Sequence, residues 1–195
     1  MKVGIIQYNA GNIQSVQFAL KRIGISPILS SNPEELETMD RLIFPGVGEA
    51  SSAMQFLTHA GLDQLVREYQ RPLLGICLGL QLLCKFSEEN NTAGLGVFPL
   101  IVQRFPPAGK VPHIGWNTVT QLKSVLFAGV PDPAYVYFVH SYYAPPSELT
   151  VATGEYLVPF SAALLYNNYF AVQFHPEKSG DIGEAILRNF LEWNP

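Results

Sequence analysis

Apolar runs of strand length alternate, through the first part of the chain, with stretches whose apolar residues recur at helical spacing. Val3 to Gln7 reads as a buried strand. Asn12 to Ile23 carries Val16, Ala19, Leu20 and Ile23 on one helical face, and Gly24 is placed to end that helix. Pro27 to Leu29 is short and apolar. Arg41 to Phe44 reads as a strand that stops at Pro45-Gly46-Val47-Gly48. Helices are expected from about Glu49 to His59 and from Leu62 to Tyr69. The strand Leu73 to Ile76 follows, with a helix after Cys77. This alternation predicts an α/β fold with a doubly wound, mostly parallel sheet flanked by helices.

The pattern changes in the second half. Pro106-Pro107 and Pro145-Pro146 punctuate β-rich runs at Ile101 to Phe105, Ala134 to Val139, Leu149 to Tyr156, Ser161 to Leu165 and Tyr169 to Phe174. These predict an antiparallel or mixed extension of the sheet. An amphipathic helix from Ile182 to Trp193 closes the chain, apolar at Ile182, Ile186, Leu187, Phe190 and Leu191. No repeat, linker or low-complexity segment interrupts the 195 residues, so one domain over 1–195 is expected.

Composition narrows the function classes. Hydrophobic residues make up 48% and charged residues only 14%, which suggests apolar surface covered by a partner. The net charge is -4, and no Lys/Arg cluster exceeds Lys21-Arg22, so there is no nucleic-acid footprint. No apolar run is long enough to span a membrane, and the N-terminus lacks a signal-peptide pattern; a cytoplasmic location is expected. No Cys or His cluster has zinc-ligand spacing, and neither metal nor cofactor is expected. The two cysteines, Cys77 and Cys84, are too far apart along a helix for a disulfide, and Cys84 in its apolar run is expected in the core.

Cys77 is different. It sits between Gly75 and Gly79, directly after an apolar strand. A buried cysteine is most often a small core residue, but a core strand gains nothing from flanking glycines. Strand, sharp turn and helix together lift a nucleophile above the sheet. They aim it at a helix N-terminus, where free N–H groups and the dipole favour an anionic sulfur. Such a nucleophile needs a base, and the base needs an orienting group. His175 and Glu177 supply both, and their two-residue spacing suits an extended segment with both side chains on one face. The expected triad is Cys77, His175 and Glu177.

In a sheet of this type the loops at Tyr8 to Asn12, Pro45 to Gly48 and Gly75 to Gly79 fall together at the carboxyl ends of the strands. Attack on a carbonyl creates an oxyanion that needs two donors. The Leu78 N–H is one candidate. The Val47 N–H is the second, if Gly46 and Gly48 let its peptide turn inward. We expect it to point away in the isolated chain and to turn inward when a partner is loaded. Gln81, one turn after Cys77, is placed to bind a small polar substrate. His113, Trp116, Asn117, His140 and Ser141 are further polar candidates near strand ends, with both histidines expected to act as structural hydrogen-bonders.

These residues resemble class I (triad-type) glutamine amidotransferases. Gly75 to Gln81 and Gln173 to Ser179 match the class. Phe44 to Gly48, His113 to Asn117 and Tyr137 to Tyr142 are similar to the glutaminase subunits of imidazole glycerol phosphate synthases. Gly11 to Val16 resembles their N-terminal motif, although those proteins commonly have an acidic residue at Gln7 and a glycine at Asn9. The resemblance implies that Cys77 attacks the side-chain amide of glutamine to form a γ-glutamyl thioester, with His175 as acid and base and Glu177 as its orienter. It implies glutamine contacts from Gly48, Gln81 and the backbone around Ser141 and Tyr142.

Ammonia must reach its acceptor without becoming ammonium in water. The chain carries no phosphate-binding loop of P-loop type and leaves no room for a second domain. The acceptor site therefore belongs to another polypeptide, and the resemblance implies a (β/α)8-barrel cyclase subunit paired with this chain as a heterodimer. Two other readings stand beside this one. A paralogous subunit would supply ammonia to another acceptor, such as a surface-polysaccharide sugar. A stress-response or chaperone-like protein of similar fold would hydrolyse no glutamine.

Overall fold

The computed structural model describes residues 1–8 and 12–194. The Asn9 to Gly11 part of the N-terminal motif lies outside them.

In the first half β1 (Val3–Ile6), β2 (Ile28–Ser30), β3 (Arg41–Phe44) and β4 (Leu73–Ile76) alternate with helices. Those helices are α1 (Ile13–Arg22), α2 (Pro33–Glu37), α3 (Ala50–His59) and α4 (Leu62–Glu68), and α5 (Leu78–Leu83) follows β4. The second half adds β5 (Cys84–Ser87), β6 (Thr92–Ala93), β7 (Phe98–Arg104), β8 (His113–Thr120) and β9 (Ala134–His140). It continues with β10 (Tyr142–Tyr143), β11 (Thr150–Tyr156), β12 (Val158–Tyr166), β13 (Tyr169–Val172) and α6 (Gly180–Glu192).

Among the described residues, nine strands form the main sheet in the order β2-β1-β3-β4-β13-β12-β11-β8-β9. From β2 to β13 every pairing is parallel, and from β13 to β9 every pairing is antiparallel. The doubly wound half and its antiparallel extension are thus both present.

The strand period of two explains the two-sided core. Ile5, Ile43, Leu74 and Ile76 face a cluster with Val16, Ala19 and Leu20 of α1 and Ile186, Leu187 and Phe190 of α6. Their neighbours Ile6, Leu42, Phe44 and Leu73 face the opposite cluster, with Leu36, Ala53, Leu57, Leu62 and Val66 from α2, α3 and α4. A strand buried on both faces has no polar face to show, which is why β1, β3 and β4 read as continuous apolar runs.

One expectation is corrected. The run at Ile101 to Phe105 does not extend the main sheet. It belongs to β7, in a second four-stranded sheet of order β10-β7-β5-β6. The chain leaves α5 at Cys84, whose φ of −69° and ψ of 165° are extended, so β5 becomes available beside β7. Cys84 is buried in the core, as expected, and both cysteines are free thiols. Among the described residues, no helix is long and apolar enough to cross a membrane.

Candidate active site

The parallel strands β1, β3, β4 and β13 all end at one edge of the sheet, and the site is built there. Cys77 follows β4 and precedes α5 with φ 52° and ψ −105°, a backbone region that side-chain-bearing residues rarely occupy. Such a conformation costs about 1–3 kcal/mol and persists only where the surroundings enforce it. Two hydrogen bonds and two glycines enforce it here. The Cys77 N–H donates to the Val172 carbonyl at 2.8 Å, and its carbonyl accepts from the Gln81 N–H at 3.3 Å. A Cβ at Gly75 would lie 2.7 Å from the Leu83 side chain, and one at Gly79 would strike the Phe44 carbonyl oxygen. Only glycines let α5 pack this tightly across β3 and β4.

With six residues α5 is shorter than the helix expected after Cys77, so its dipole contributes less at the sulfur. The groups that reach the sulfur are side-chain and backbone dipoles. Gln173 Nε2 and the Val139 carbonyl oxygen both lie 3.6 Å from Sγ.

His175 is 1% exposed, and its Nδ1 sits 2.7 Å from Glu177 Oε1. The carboxylate accepts, so Nδ1 carries the proton and Nε2 is left for the nucleophile. The pair does not lie on an extended segment, as its spacing had suggested. Pro176–Lys178 forms a single 3-10 turn that folds the carboxylate back onto the ring. Ser179 Oγ donates to the His175 carbonyl at 2.7 Å, and the His175 N–H donates to the Tyr137 carbonyl at 2.9 Å, so the backbone is held at both ends. Nε2 is fully buried with no hydrogen bond of normal geometry. Burial pulls the His175 pKa down, but its electrostatic and hydrogen-bond coupling to the Cys77 sulfur, and then to Glu177, outweighs it and raises it to about 10.

Glu177 Oε1 also accepts from Asn12 Nδ2. This contact has no local signature, because Asn12 and Glu177 are separated by 165 positions and meet only through the fold. Its single clue is conformational: Asn12 adopts φ 70° and ψ 3° ahead of α1, a left-handed geometry that Asn tolerates.

A cavity of about 300 Å³ opens beside Cys77. Val47, Gly48, Leu78, Gln81, Ser141 and Tyr142 line it, together with Glu89, Val139 and His140. Every expected oxyanion and substrate residue therefore faces one space. Glu89 was not expected. It is the carboxylate in this lining; burial raises its pKa, against a hydrogen bond from the Ala50 N–H that lowers it. Gln81 is buried, and its amide nitrogen is already engaged by the Tyr142 carbonyl at 2.9 Å and Gln173 Oε1 at 3.1 Å. That leaves its oxygen, not its nitrogen, for a ligand. Trp116 and Asn117 lie in β8, outside the cavity lining, as does His113.

The two oxyanion candidates are not aligned. The Leu78 N–H donates to the Gly46 carbonyl at 3.3 Å. A trans peptide places its N–H opposite its C=O, so the peptide that turns the Gly46 carbonyl toward Leu78 turns the Val47 N–H away from it. The space at Gly46 is close: a Cβ there would meet the Tyr8 hydroxyl and lie 2.8 Å from Leu78 Cβ. Tyr8 in turn donates to the Pro45 carbonyl at 2.6 Å and holds the start of the loop.

A strained cysteine, an oriented histidine and a small polar cavity at the carboxyl edge of a doubly wound sheet define a hydrolase of the amidotransferase type. The family model described as "Glutamine amidotransferase class-I" matches residues 5–193, and the chain belongs to that family. Its relatives include the imidazole glycerol phosphate synthase subunit HisH of Bacteroides fragilis (strain YCH46), 55% identical, with 98% of this chain and 100% of the relative covered. The subunit of the same name from Pasteurella multocida (strain Pm70) is 43% identical, covering 97% of each. Among solved structures, a crystal structure of a glutamine amidotransferase superposes with a TM-score of 0.77 at 23% identity, covering 98% of both chains. PurLQS from Thermotoga maritima gives 0.75 at 15% identity, covering 97% of both. At these identities the structural matches establish the fold.

Proposed function

We propose that this chain is the glutaminase subunit of an imidazole glycerol phosphate synthase and works in histidine biosynthesis as one cytoplasmic domain. The observation that carries this reading is the convergence of Cys77, Val47, Gly48, Leu78, Gln81, Ser141 and Tyr142 on one small cavity, with His175 oriented by Glu177 at 2.7 Å. The full-length similarity to subunits of that name supports the choice of synthase.

In this mechanism the Cys77 sulfur attacks the glutamine side-chain carbonyl carbon, and the negative charge moves to its oxygen. The Leu78 and Val47 N–H groups hold that charge once the loop has turned. His175 gives its proton to the nitrogen as the C–N bond breaks, releasing ammonia and leaving the thioester. It then takes a proton from water, which attacks the thioester and frees glutamate. Glu177 keeps the ring in the tautomer this requires. Glu89 is suited to the substrate's α-ammonium group, and the Ser141–Tyr142 backbone forms the opposite wall.

The ammonia acceptor would sit on a (β/α)8-barrel cyclase subunit in a heterodimer. On β8 and β9, Ile114, Trp116 and Tyr135 are 56%, 56% and 61% exposed and share a sheet face with Val139, which lines the cavity. An apolar stripe beside the site favours a partner seated there. Glutamine hydrolysis should be slow in the isolated chain and far faster with the cyclase subunit and its nucleotide substrate. No glutamine hydrolysis under either condition would refute the proposal.

A further inference from the structure

The cavity wall at Tyr142 is held from behind by a half-buried asparagine and two buried histidines that hydrolysis does not consume. Asn117 Nδ2 lies 3.3 Å from His113 Nε2, His113 Nδ1 lies 3.0 Å from His140 Nε2, and His140 Nδ1 lies 2.8 Å from the Tyr142 carbonyl oxygen. His113 and His140 are directly opposite each other in the β8–β9 ladder. Both are about 95% buried, among Phe105, Phe138, Tyr156 and Phe160.

The two ends fix the direction of every bond. A carbonyl only accepts, so His140 Nδ1 carries its proton. A neutral His140 then accepts at Nε2, and His113 must donate from Nδ1 and accept at Nε2. At the far end Asn117 donates from Nδ2 to the Glu155 carbonyl at 3.0 Å, while its Oδ1 accepts from the Thr118 N–H at 2.8 Å. Its amide therefore cannot be reversed, and its second N–H points at His113 Nε2. The scheme works only with both rings neutral, because an imidazolium would set two donors against each other. Burial among the aromatic rings pushes His113 down to about 4 and His140 down to about 3.

The Tyr142 carbonyl is also the acceptor for Gln81, Gln81 donates to Gln173, and Gln173 donates toward the Cys77 sulfur. Both branches meet on one oxygen.

We propose that Asn117, His113 and His140 form a one-directional hydrogen-bond relay that sets the Tyr142 carbonyl, and with it the glutamine-facing wall and the Gln81–Gln173 amides behind the nucleophile. They are positioning residues, and the inference rests on the reading that this cavity takes glutamine. An isolated histidine prefers the Nε2–H tautomer, so the relay demands two unusual Nδ1–H rings side by side.

The test uses variants that separate hydrogen bonding from packing. In His140→Asn the amide nitrogen stands where Nδ1 stood, so the bond to Tyr142 survives. In His140→Gln it stands where Nε2 stood, and that bond is lost. His140→Phe fills the aromatic pocket with no bond at all. The relay predicts that glutamine Kd and KM stay within a fewfold of wild type in Asn and rise about tenfold in Gln and Phe. A purely packing role predicts the reverse order, with Phe mildest and Asn worst, and would overturn the relay. Nitrogen-15 spectra of histidine-labelled protein supply the second readout. Two neutral Nδ1–H rings at pH 7 are expected, and an Nε2–H or doubly protonated state at either position overturns the assignment. Failure of the wild-type chain to bind glutamine would instead refute the proposed function, and the spectra would still decide the relay.

Discussion

The Gly46 carbonyl oxygen accepts the Leu78 N–H at 3.3 Å. The Leu78 donor is thereby occupied by the loop's own carbonyl oxygen, the partially negative end of a neutral peptide. The proposed hole is closed by its own backbone, and opening it needs one peptide to rotate between two glycines. Val47→Pro removes the donor that this rotation would deliver. Partner-dependent activation should fall by roughly 100- to 1,000-fold in kcat while glutamine binding changes little. Normal activation of the folded variant would sink the switch.

Cys77→Ala should abolish glutamine-dependent synthesis by the assembled enzyme and leave ammonia-dependent synthesis intact. Parallel assays with the two nitrogen sources check this. Equal loss of both, with the complex intact, would contradict the division of labour between subunits.

His175→Ala should fall near the Cys77 variant, since the triad acts as a unit. Glu177→Gln should keep measurable hydrolysis, because the Nδ1 proton is oriented and not consumed. Asn12→Ala removes the second donor to the same carboxylate oxygen and is expected to cost less again. Single-turnover rates with glutamine rank the three, and a Glu177→Gln protein as inactive as Cys77→Ala would require a larger role for the carboxylate.

Glu89→Gln should raise KM for glutamine by 10-fold or more with kcat nearly unchanged, as expected for loss of a charge that contacts a part of the substrate remote from the reacting bond. A kcat effect without a KM effect would remove Glu89 from the substrate site.

The charge state of His175 is a further check. Burial alone would lower its pKa from the ordinary 6.5, and coupling to the Cys77 sulfur and to Glu177 reverses that, to about 10. A histidine titration followed by NMR should find His175 protonated through pH 8. In Cys77→Ala its pKa should drop, because the Cys77 sulfur is the first of the influences that raise it. No change on removing the sulfur would show the two groups to be uncoupled.

What could be read from the chain follows the range of the interactions involved. The turn around Cys77 was legible because its constraints are local: a strand, two glycines and a helix within seven positions. The β1, β3 and β4 runs were legible because strands buried on both faces are continuously apolar. β5 was not, since Cys84 continues the apolar run of α5 and the four residues to Ser87 are too few for periodicity to set them apart. Glu89, the contact of Asn12 with Glu177 and the pairing of His113 with His140, both expected as structural hydrogen-bonders, were not legible for a different reason. Each of these contacts arises from strand pairing or loop packing across long separations, which no local pattern records. Gln81 lies in the cavity lining one turn after Cys77, yet the commitment of its nitrogen to Tyr142 and Gln173 depends on two distant segments.

The position of β13 has a consequence for how this protein is made. β13 sits between β4 and β12, and the base follows it in sequence. On a ribosome adding roughly 5–20 residues per second, the inner edge of β4 waits on the order of 5 to 20 s for its neighbour. Until then an apolar strand with unpaired backbone groups lies open, the kind of edge that recruits other chains. Truncation before Tyr169 would therefore do more than delete His175 and Glu177. It would leave a nascent sheet split down its centre, and such fragments should be aggregation-prone clients of chaperones, not inactive but folded domains.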